Sequence, residues 1–448
     1  MNGELTLANE TVEKNTEVLS RWTGTNPDQS DGPAWLYPLR REAGSRFIQI
    51  GFPDRHDEEW RFTPIAPLID TQFVAAAQNS AAEAPGIGNF LFPEMEGYQI
   101  VFVNGIFQPG LSTIGTEAGL HISNLAHDIN AEAALIEPHL GRYAAFDSQA
   151  FVALNTAAIA DGAFIHVSRN TNVELPIHLL YFSTAGDAPT TSHPRTLIVA
   201  DEGSSVTIVE SYAGQTDAVY LTNAVTEIVV GANANIDHYK LQRESGNAFH
   251  VATLQVQHDR DSVFSTHAIN LGSRIARNDS NAVLGASGIE CTLNGLYMGR
   301  GNQLIDNHTY IDHAMPHCAS HEIYKGILDG QARGVFNGKI LVRQDAQKTD
   351  AKQTNKTLLL SDDAQINTKP QLEIYADDVK CTHGATVGQL SAEALFYLRA
   401  RGIPVAEARD LLTYAFAADI VSRIKVEAVR HQLDLALLQE RAIEGIES

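Results

Sequence analysis

The stretch Leu197-Ile-Val-Ala-Asp-Glu-Gly-Ser-Ser-Val-Thr-Ile-Val-Glu210 decides the fold. Two short apolar and β-branched runs, Leu197–Val199 and Val206–Glu210, flank Asp201-Glu-Gly-Ser, a cluster of turn formers. The unit then repeats. Thr226–Val230 and Ile236–Leu241 flank Gly231-Ala-Asn-Ala-Asn, and Leu254–Gln257 and Phe264–Ile269 flank His258-Asp-Arg-Asp-Ser. These turns recur about every 28 residues, which suits one coil of a solenoid whose rungs stack and whose inward side chains build one continuous core. Further runs lie at Ile100–Val103, Phe164–Val167, Thr292–Tyr297, Gly338–Val342 and Gln371–Tyr375. No blade motif marks a propeller, and the strands are too many for one small sandwich. The expected fold is mainly β, a right-handed parallel β-helix (β-solenoid) core over residues 98–388 with helical segments at both ends.

The flanks read differently. Residues 1–97 are mixed, with a helical stretch at Thr11–Trp22 and a loop at Asn26-Pro-Asp-Gln-Ser-Asp-Gly-Pro33. In Asp57-Glu-Glu-Trp-Arg-Phe-Thr-Pro64, Trp60 and Phe62 are expected as packing anchors. Residues 389–448 take a period near 3.6, with Ser391 as an N-cap and Pro404 in the first turn of a second helix. Leu412, Phe416, Ile420 and Ile424 form a stripe that Leu411, Ala415, Ala418 and Val421 widen. A helix packed on one side needs only one stripe, so Leu411, Leu412, Tyr414, Phe416 and Ile420 are candidate partner-binding residues. The alternative is packing against Leu395, Phe396 and Leu398 of the preceding helix.

Charge narrows the function. The 448 residues carry 32 basic and 54 acidic side chains, a net of −22, which opposes binding to nucleic acid or to anionic membranes. No apolar run approaches the roughly 18–20 residues that span a bilayer, and the start Met-Asn-Gly-Glu-Leu lacks an export pattern. Cys291, Cys318 and Cys381 are few and widely spaced, as in a reducing compartment. A soluble, cytoplasmic protein is expected.

Four groups of residues invite chemistry. In Tyr375-Ala-Asp-Asp-Val-Lys-Cys-Thr-His-Gly-Ala-Thr-Val-Gly388, Cys381 and His383 fall two apart on an extended segment and so point to one side. Thiolate and imidazole suit iron, zinc or copper. The other reading is a buried thiol beside a hydrogen-bonded imidazole. His308, His313, His317 and His321, with Cys318, Asp306 and Asp312, are denser, but Met315-Pro316 breaks any helix that would align them, and structural histidines are the simpler expectation. Gly334-Val-Phe-Asn-Gly-Lys-Ile340 looks like a phosphate loop and fails as one, since three residues separate its glycines and Ile340 replaces the hydroxyl; it is read as a turn, and no nucleotide is expected on this chain. Asp362-Asp363 and Asp377-Asp378 are adjacent on extended chain and point apart, a poor geometry for an acid/base pair.

The segment Thr368–Leu390, Leu395-Phe-Tyr-Leu-Arg-Ala-Arg-Gly-Ile403, Gln353-Thr-Asn-Lys-Thr-Leu-Leu-Leu360 and Asp306-Asn-His-Thr-Tyr-Ile-Asp-His313 together closely resemble the SufB/SufD family of iron–sulfur cluster assembly scaffolds. The resemblance spans about residues 150–425, with a weaker match at Glu59-Trp-Arg-Phe-Thr63. SufB-like chains look like His-Glu-Ala-Thr-Thr where this one has His383-Gly384-Ala385-Thr386-Val387, and place a cysteine where it has Thr354. That is the SufD pattern. The resemblance implies a non-enzymatic scaffold subunit that pairs with a SufB-like paralogue and a SufC-like ABC-type ATPase, with a homodimer possible in isolation. It implies that His383, and less strongly Cys381, serve a transient iron–sulfur cluster at the interface, with Asp377 and Asp378 as acceptors behind the imidazole. The alternative is a stand-alone metal-binding β-helix that uses the His308–His321 segment.

Overall fold

The structure, a computed structural model, describes residues 2–24, 32–76 and 84–442, so most of the loop expected at residues 26–33 lies outside the described residues. Helices α1 (Asn2–Thr23), α2 (Leu36–Ile50) and α3 (Ala66–Ile69) open the chain. Strands β1 (Val74–Ala75), β2 (Tyr98–Val103), β3 (Ile106–Phe107) and β4 (Leu120–Asn124) precede three short helices, α4 (Leu125–Ala131), α5 (Ala133–Ile136) and α6 (Ala150–Ala157). Then come β5 (Ala163–Val167), β6 (Ile177–Ser183), β7 (Thr190–Ser192), β8 (Arg195–Ala200), β9 (Ser205–Gly214), β10 (Tyr220–Val230), β11 (Asn235–Glu244), β12 (Phe249–His258), β13 (Val263–Gly272) and β14 (Ile275–Leu284). The run ends with β15 (Glu290–Gly299), β16 (Leu304–His313), β17 (Ala319–Leu328), β18 (Arg333–Val342), β19 (Asp350–Leu359), β20 (Gln365–Ile374) and β21 (Lys380–Gly388). Helices α7 (Ala392–Ala400), α8 (Val405–Val421) and α9 (Glu427–Ala442) follow.

The chain is a β-solenoid. From β8 onward successive strands alternate between two sheets, one of eleven strands ending β16-β18-β20 and one of ten ending β17-β19-β21. Neighbours in each of these runs are parallel; Phe249 pairs with Ile275 and Arg333 with Gln365, so a coil takes from 26 to 32 residues. The expected turns are the corners. Gly203, Asn233, Asp261, Gly288, His317 and Lys348 all take positive φ at equivalent places. The N–H groups of Gly203, Asn233, Asp261, His317 and Lys348 each donate to a carbonyl in the next coil. Asn, Asp and Gly tolerate this conformation best, hence the turn composition.

Inside, Ile208, Ile236, Phe264, Cys291 and Ile305 belong to one long core. Polar side chains share it where they are mutually satisfied: Glu210 accepts from Tyr212 at 2.6 Å and Thr226 at 2.7 Å and lies 2.9 Å from His238. Tyr324 lies over Gly295, and Tyr297 over Gly326, in adjacent coils; a Cβ at either glycine would come within 2.3 Å of a ring atom. Outside, α1, α2 and α6 cover one sheet through Leu19, Phe47, Phe151 and Leu154 against Leu221, Phe249 and Ile275. Helices α8 and α9, with Ile424 between them, cover the other through Ala417, Ile420 and Leu433 against Leu241, Ile269 and Leu296.

Three expectations are corrected. Gly334–Ile340 is not a turn but lies inside β18. Phe62 is 42% exposed and anchors nothing, whereas Trp60 stacks on Phe151 at 5.4 Å and beneath Arg277 at 4.5 Å. The face α8 buries is Ala408, Thr413, Ala417, Ile420 and Val421, so Ile420 is core and cannot meet a partner. Pro404 caps α8 from just outside its first turn, while Ser391 caps α7 by accepting from the Ala394 N–H.

Residues 58–63 form a strap across successive coils. Asp279, His308, Asn337 and Lys369 are register partners on one outer ladder. Glu59 lies 3.2 Å from His308 and accepts from Asn337 at 2.9 Å, while Glu58 pairs with Lys369. Burial alone would push the His308 imidazole down, but the carboxylates of Asp306 and Glu59 outweigh it and raise its pKa; the hydrogen bond from His308 lowers that of Glu59. A raised imidazole pKa contributes stability that is complete below the unfolded value and is lost as pH rises through the folded one; the lowered Glu59 value acts in the opposite sense at acid pH. Hydrogen exchange of residues 58–63, corrected for intrinsic rate, is therefore expected to quicken in the wild type as pH rises above the ordinary imidazole value of 6.5, and to lose that dependence in His308→Gln. Equal protection across the range in both proteins would refute the assignment.

Candidate metal-ligand site

The inward rows of the last coils place the candidates. On β19, Ala351, Gln353, Asn355 and Thr357 are buried while Lys352 and Lys356 are exposed. Register pairs Ala351 with Cys381, Gln353 with His383 and Asn355 with Ala385, so Cys381 and His383 continue the inward rows, as their spacing predicts. Among the described residues no coil follows, and strand β21 pairs only with β19 and β20 only with β18. Cys381 is half-buried against the end of the core, and burial pushes its thiol up; His383 is exposed.

Behind His383 runs a polar ladder. Gln353 donates from Nε2 to Glu322 Oε2 at 2.9 Å, and Glu322 also accepts from Thr309 at 2.5 Å. The register runs Leu293, Glu322, Gln353, His383. Gln353 is held without slack: a Cβ at Gly338 on β18 would lie 2.2 Å from its Nε2. Sequence reading missed Glu322 and Gln353 as parts of the site because they reach His383 only through neighbouring coils.

The other groups fall out differently. His308 is tied into the strap, and buried His313 bonds Ser320 at 2.8 Å. His317 occupies a corner that requires positive φ, and His321 is an exposed residue of β17. The four imidazoles therefore point to different places, and among the described residues no group of three or more His, Cys, Asp or Glu side chains could hold a metal ion. Asp378 pairs with Lys348 instead of backing His383. Thr354 and Gly384 are register partners on the outward face of the same two strands, and a Cβ at Gly384 would meet nothing within 4 Å. Cys381 and His383 thus lie two apart on the last strand of the ten-stranded sheet, with no third His, Cys, Asp or Glu grouped with them among the described residues.

The C-terminal candidates separate as well. Leu411 of α8 is 49% exposed, and Phe396 and Tyr397 of α7 are 73% and 57% exposed. Leu412 is half-buried, Tyr414 bonds Asp434 at 2.8 Å, and Phe416 lies 4.5 Å from Lys325. Phe396 does not pack inside, contrary to the alternative.

Glu322 yields a stability test. Burial raises its carboxyl to about 7, against hydrogen bonds from Thr309 and Gln353 that lower it. A raised carboxyl pKa means the folded state holds the proton more tightly, so stability is complete below the unfolded value near 4.5 and is lost as pH rises through about 7. Glu322→Gln removes the buried charge. Its unfolding free energy from urea titration is expected to exceed wild type at about pH 8 by up to about 3 kcal/mol, with the gain vanishing near pH 5; an unchanged pH dependence would show that Glu322 does not titrate there.

Comparison with known proteins shows the family. The family model described as SUF system FeS cluster assembly, SufBD core domain, matches residues 181–416, and the SufBD protein N-terminal region matches residues 29–179. The likeness therefore reaches well ahead of residue 150. A SufBD family iron–sulfur cluster assembly protein of Synechocystis is 36% identical over 407 residues, 89% of each chain. The iron–sulfur cluster assembly protein SufD of Escherichia coli is 33% identical over 406 residues, 90% of this chain and 92% of that one. SufD of Bacillus subtilis is 28% identical over 415 residues, 90% and 93% of the two chains. Among the described residues no helix is long and apolar enough to cross a membrane.

Proposed function

The chain belongs to the SufBD family of iron–sulfur cluster assembly proteins, and we propose that it is a SufD-like, non-enzymatic scaffold subunit in the cytoplasm. It works with a SufB-like paralogue and a SufC-like ABC-type ATPase and binds no nucleotide itself. The observation that carries this reading is the uncapped last coil, which presents Cys381 and His383 beside two strands with free edges. A paralogue seated there would supply the thiolate and carboxylate that Thr354 and Gly384 do not, while His383 contributes a neutral imidazole. The cluster is cargo, held transiently between the two chains. Without the paralogue, a second copy could occupy the same end. ATP-driven movement of the ATPase, docked on the C-terminal helices, would open that interface to admit iron and sulfide.

Two experiments test the two surfaces. In the reconstituted complex, His383→Ala should abolish cluster formation, read as iron and sulfide per complex, with all subunits retained, because an exposed imidazole adds little to the core. Cys381→Ser should reduce the yield less; full yield in the His383 variant would sink the ligand role. For the ATPase, Phe396→Asp with Leu411→Asp should lower copurification by at least about tenfold, since a buried apolar anchor is worth more than 1.4 kcal/mol. The β signal in circular dichroism should be unchanged. Full ATPase stoichiometry in that double variant would place the docking surface elsewhere.

A further inference from the structure

We infer that Gln353 is a positioning residue for His383: its amide oxygen accepts one ring N–H of the imidazole, and Glu322 holds the amide in the pose that presents that oxygen. The inference builds on the ligand role proposed above for His383. Gln353 is 2% exposed, and its Oε1 is buried without a hydrogen-bond partner among the described residues. Such an orphan acceptor is uncommon and calls for a partner. The amide nitrogen is turned toward Glu322 in the coil below, and the carboxylate, which only accepts when ionised, selects that orientation. An amide's oxygen and nitrogen diverge from Cδ, so with the nitrogen on Glu322 the oxygen is directed away from the coil below. The next residue on that row is His383, one strand spacing of about 4.8 Å away.

Among the described residues no coil lies over β21, which leaves the imidazole room to turn inward. The gain is specific to function. An N–H given to Gln353 fixes the tautomer and leaves the other ring nitrogen, with its lone pair, facing the open edge where a metal would arrive. Cys381 and Ala385 on either side of His383 offer no carbonyl-type acceptor in their side chains, so the neighbouring positions on the inward row cannot substitute.

The test uses the full chain labelled with 15N-histidine, the His383 signals being those absent from His383→Ala. In the wild type at pH 8, His383 should sit in one neutral tautomer, unlike exposed His321 in the same spectrum. In Gln353→Leu the His383 signals should relax to the His321-like mixture. His383-dependent Fe2+ binding, measured by chelator competition, should weaken about tenfold. Loosened packing alone would not redistribute a tautomer. A wild-type His383 that already shows the mixture, or a Gln353→Leu variant that keeps one tautomer, overturns the inference. Gln353→Met, which fills the same space without an acceptor, replaces Leu should that variant not fold. If His383→Ala leaves cluster formation intact on the complex while the spectra behave as expected, the ligand role fails and the orientation stands.

Discussion

A parallel coil stack satisfies its backbone only by adding another coil, so everything hangs on how each end of the stack stops. At the N-terminal end each sheet finishes in an antiparallel strand. Strand β3 turns back on β2, β4 lies on β5, and α4 to α6 pack on the outer face of the eleven-stranded sheet. A buried ion pair fixes that cover: Arg195 and Glu227, both fully buried, meet at 2.6 Å. Arg195 also bonds Asn155 and Thr156 of α6, and Glu227 accepts the backbone N–H groups of Gly141, Tyr143 and Ala144. Breaking one partner of such a pair strands a charge in the interior, which costs about 3–5 kcal/mol. At the C-terminal end β20 and β21 keep open edges. Long uncovered edges are aggregation hazards unless they are meant to pair, and the helices that follow fold against the side of the solenoid instead of over this end.

The solenoid was legible because turn chemistry repeats: a corner residue with positive φ is needed once per coil, and Gly, Asn and Asp are the residues that tolerate it. Much less legible were β14, β16 and β19, whose sequences Ile-Ala-Arg-Asn-Asp-Ser-Asn-Ala-Val-Leu, Leu-Ile-Asp-Asn-His-Thr-Tyr-Ile-Asp-His and Asp-Ala-Lys-Gln-Thr-Asn-Lys-Thr-Leu-Leu carry many polar groups. Their inward positions hold Asn, Thr and Gln that bond across the core, as Asn270 does to Asn307 at 2.7 Å. Strand prediction from apolar alternation has no purchase on such pairs, because the partners lie in other coils. The same cause explains the site. Cys381 and His383 sit two apart and are visible locally, whereas Glu322 and Gln353 join them only through register some thirty residues away.

The C-terminal stripe was misplaced for a different reason. Against a flat sheet, a helix approaches closely where its contact residues are small, and α8 does so with Ala408, Thr413 and Ala417. The larger Leu412 and Phe416, which dominate the apolar pattern, sit at the margins, Phe416 over the Lys325 ammonium that also meets Asp419 at 2.7 Å. Hydrophobic bulk marked the helix, and small side chains marked its contact face.

An N-terminal segment is joined to the last coils along one outer ladder. Residues 58–63 reach from Asp306, which Thr63 bonds at 2.5 Å, to Lys369 on the last coil, paired with Glu58. Arg277 binds the strap from inside, donating to the Glu59 carbonyl at 2.7 Å while gripping Asp279 and Asp306. A strand with a partner on one side only holds its backbone less firmly than an interior one, and β20 is such a strand. The strap gives it a second attachment, through a side chain on its outer face that leaves the hydrogen-bonding edge free. The same coil is thereby held in register while its hydrogen-bonding edge stays free of strands among the described residues.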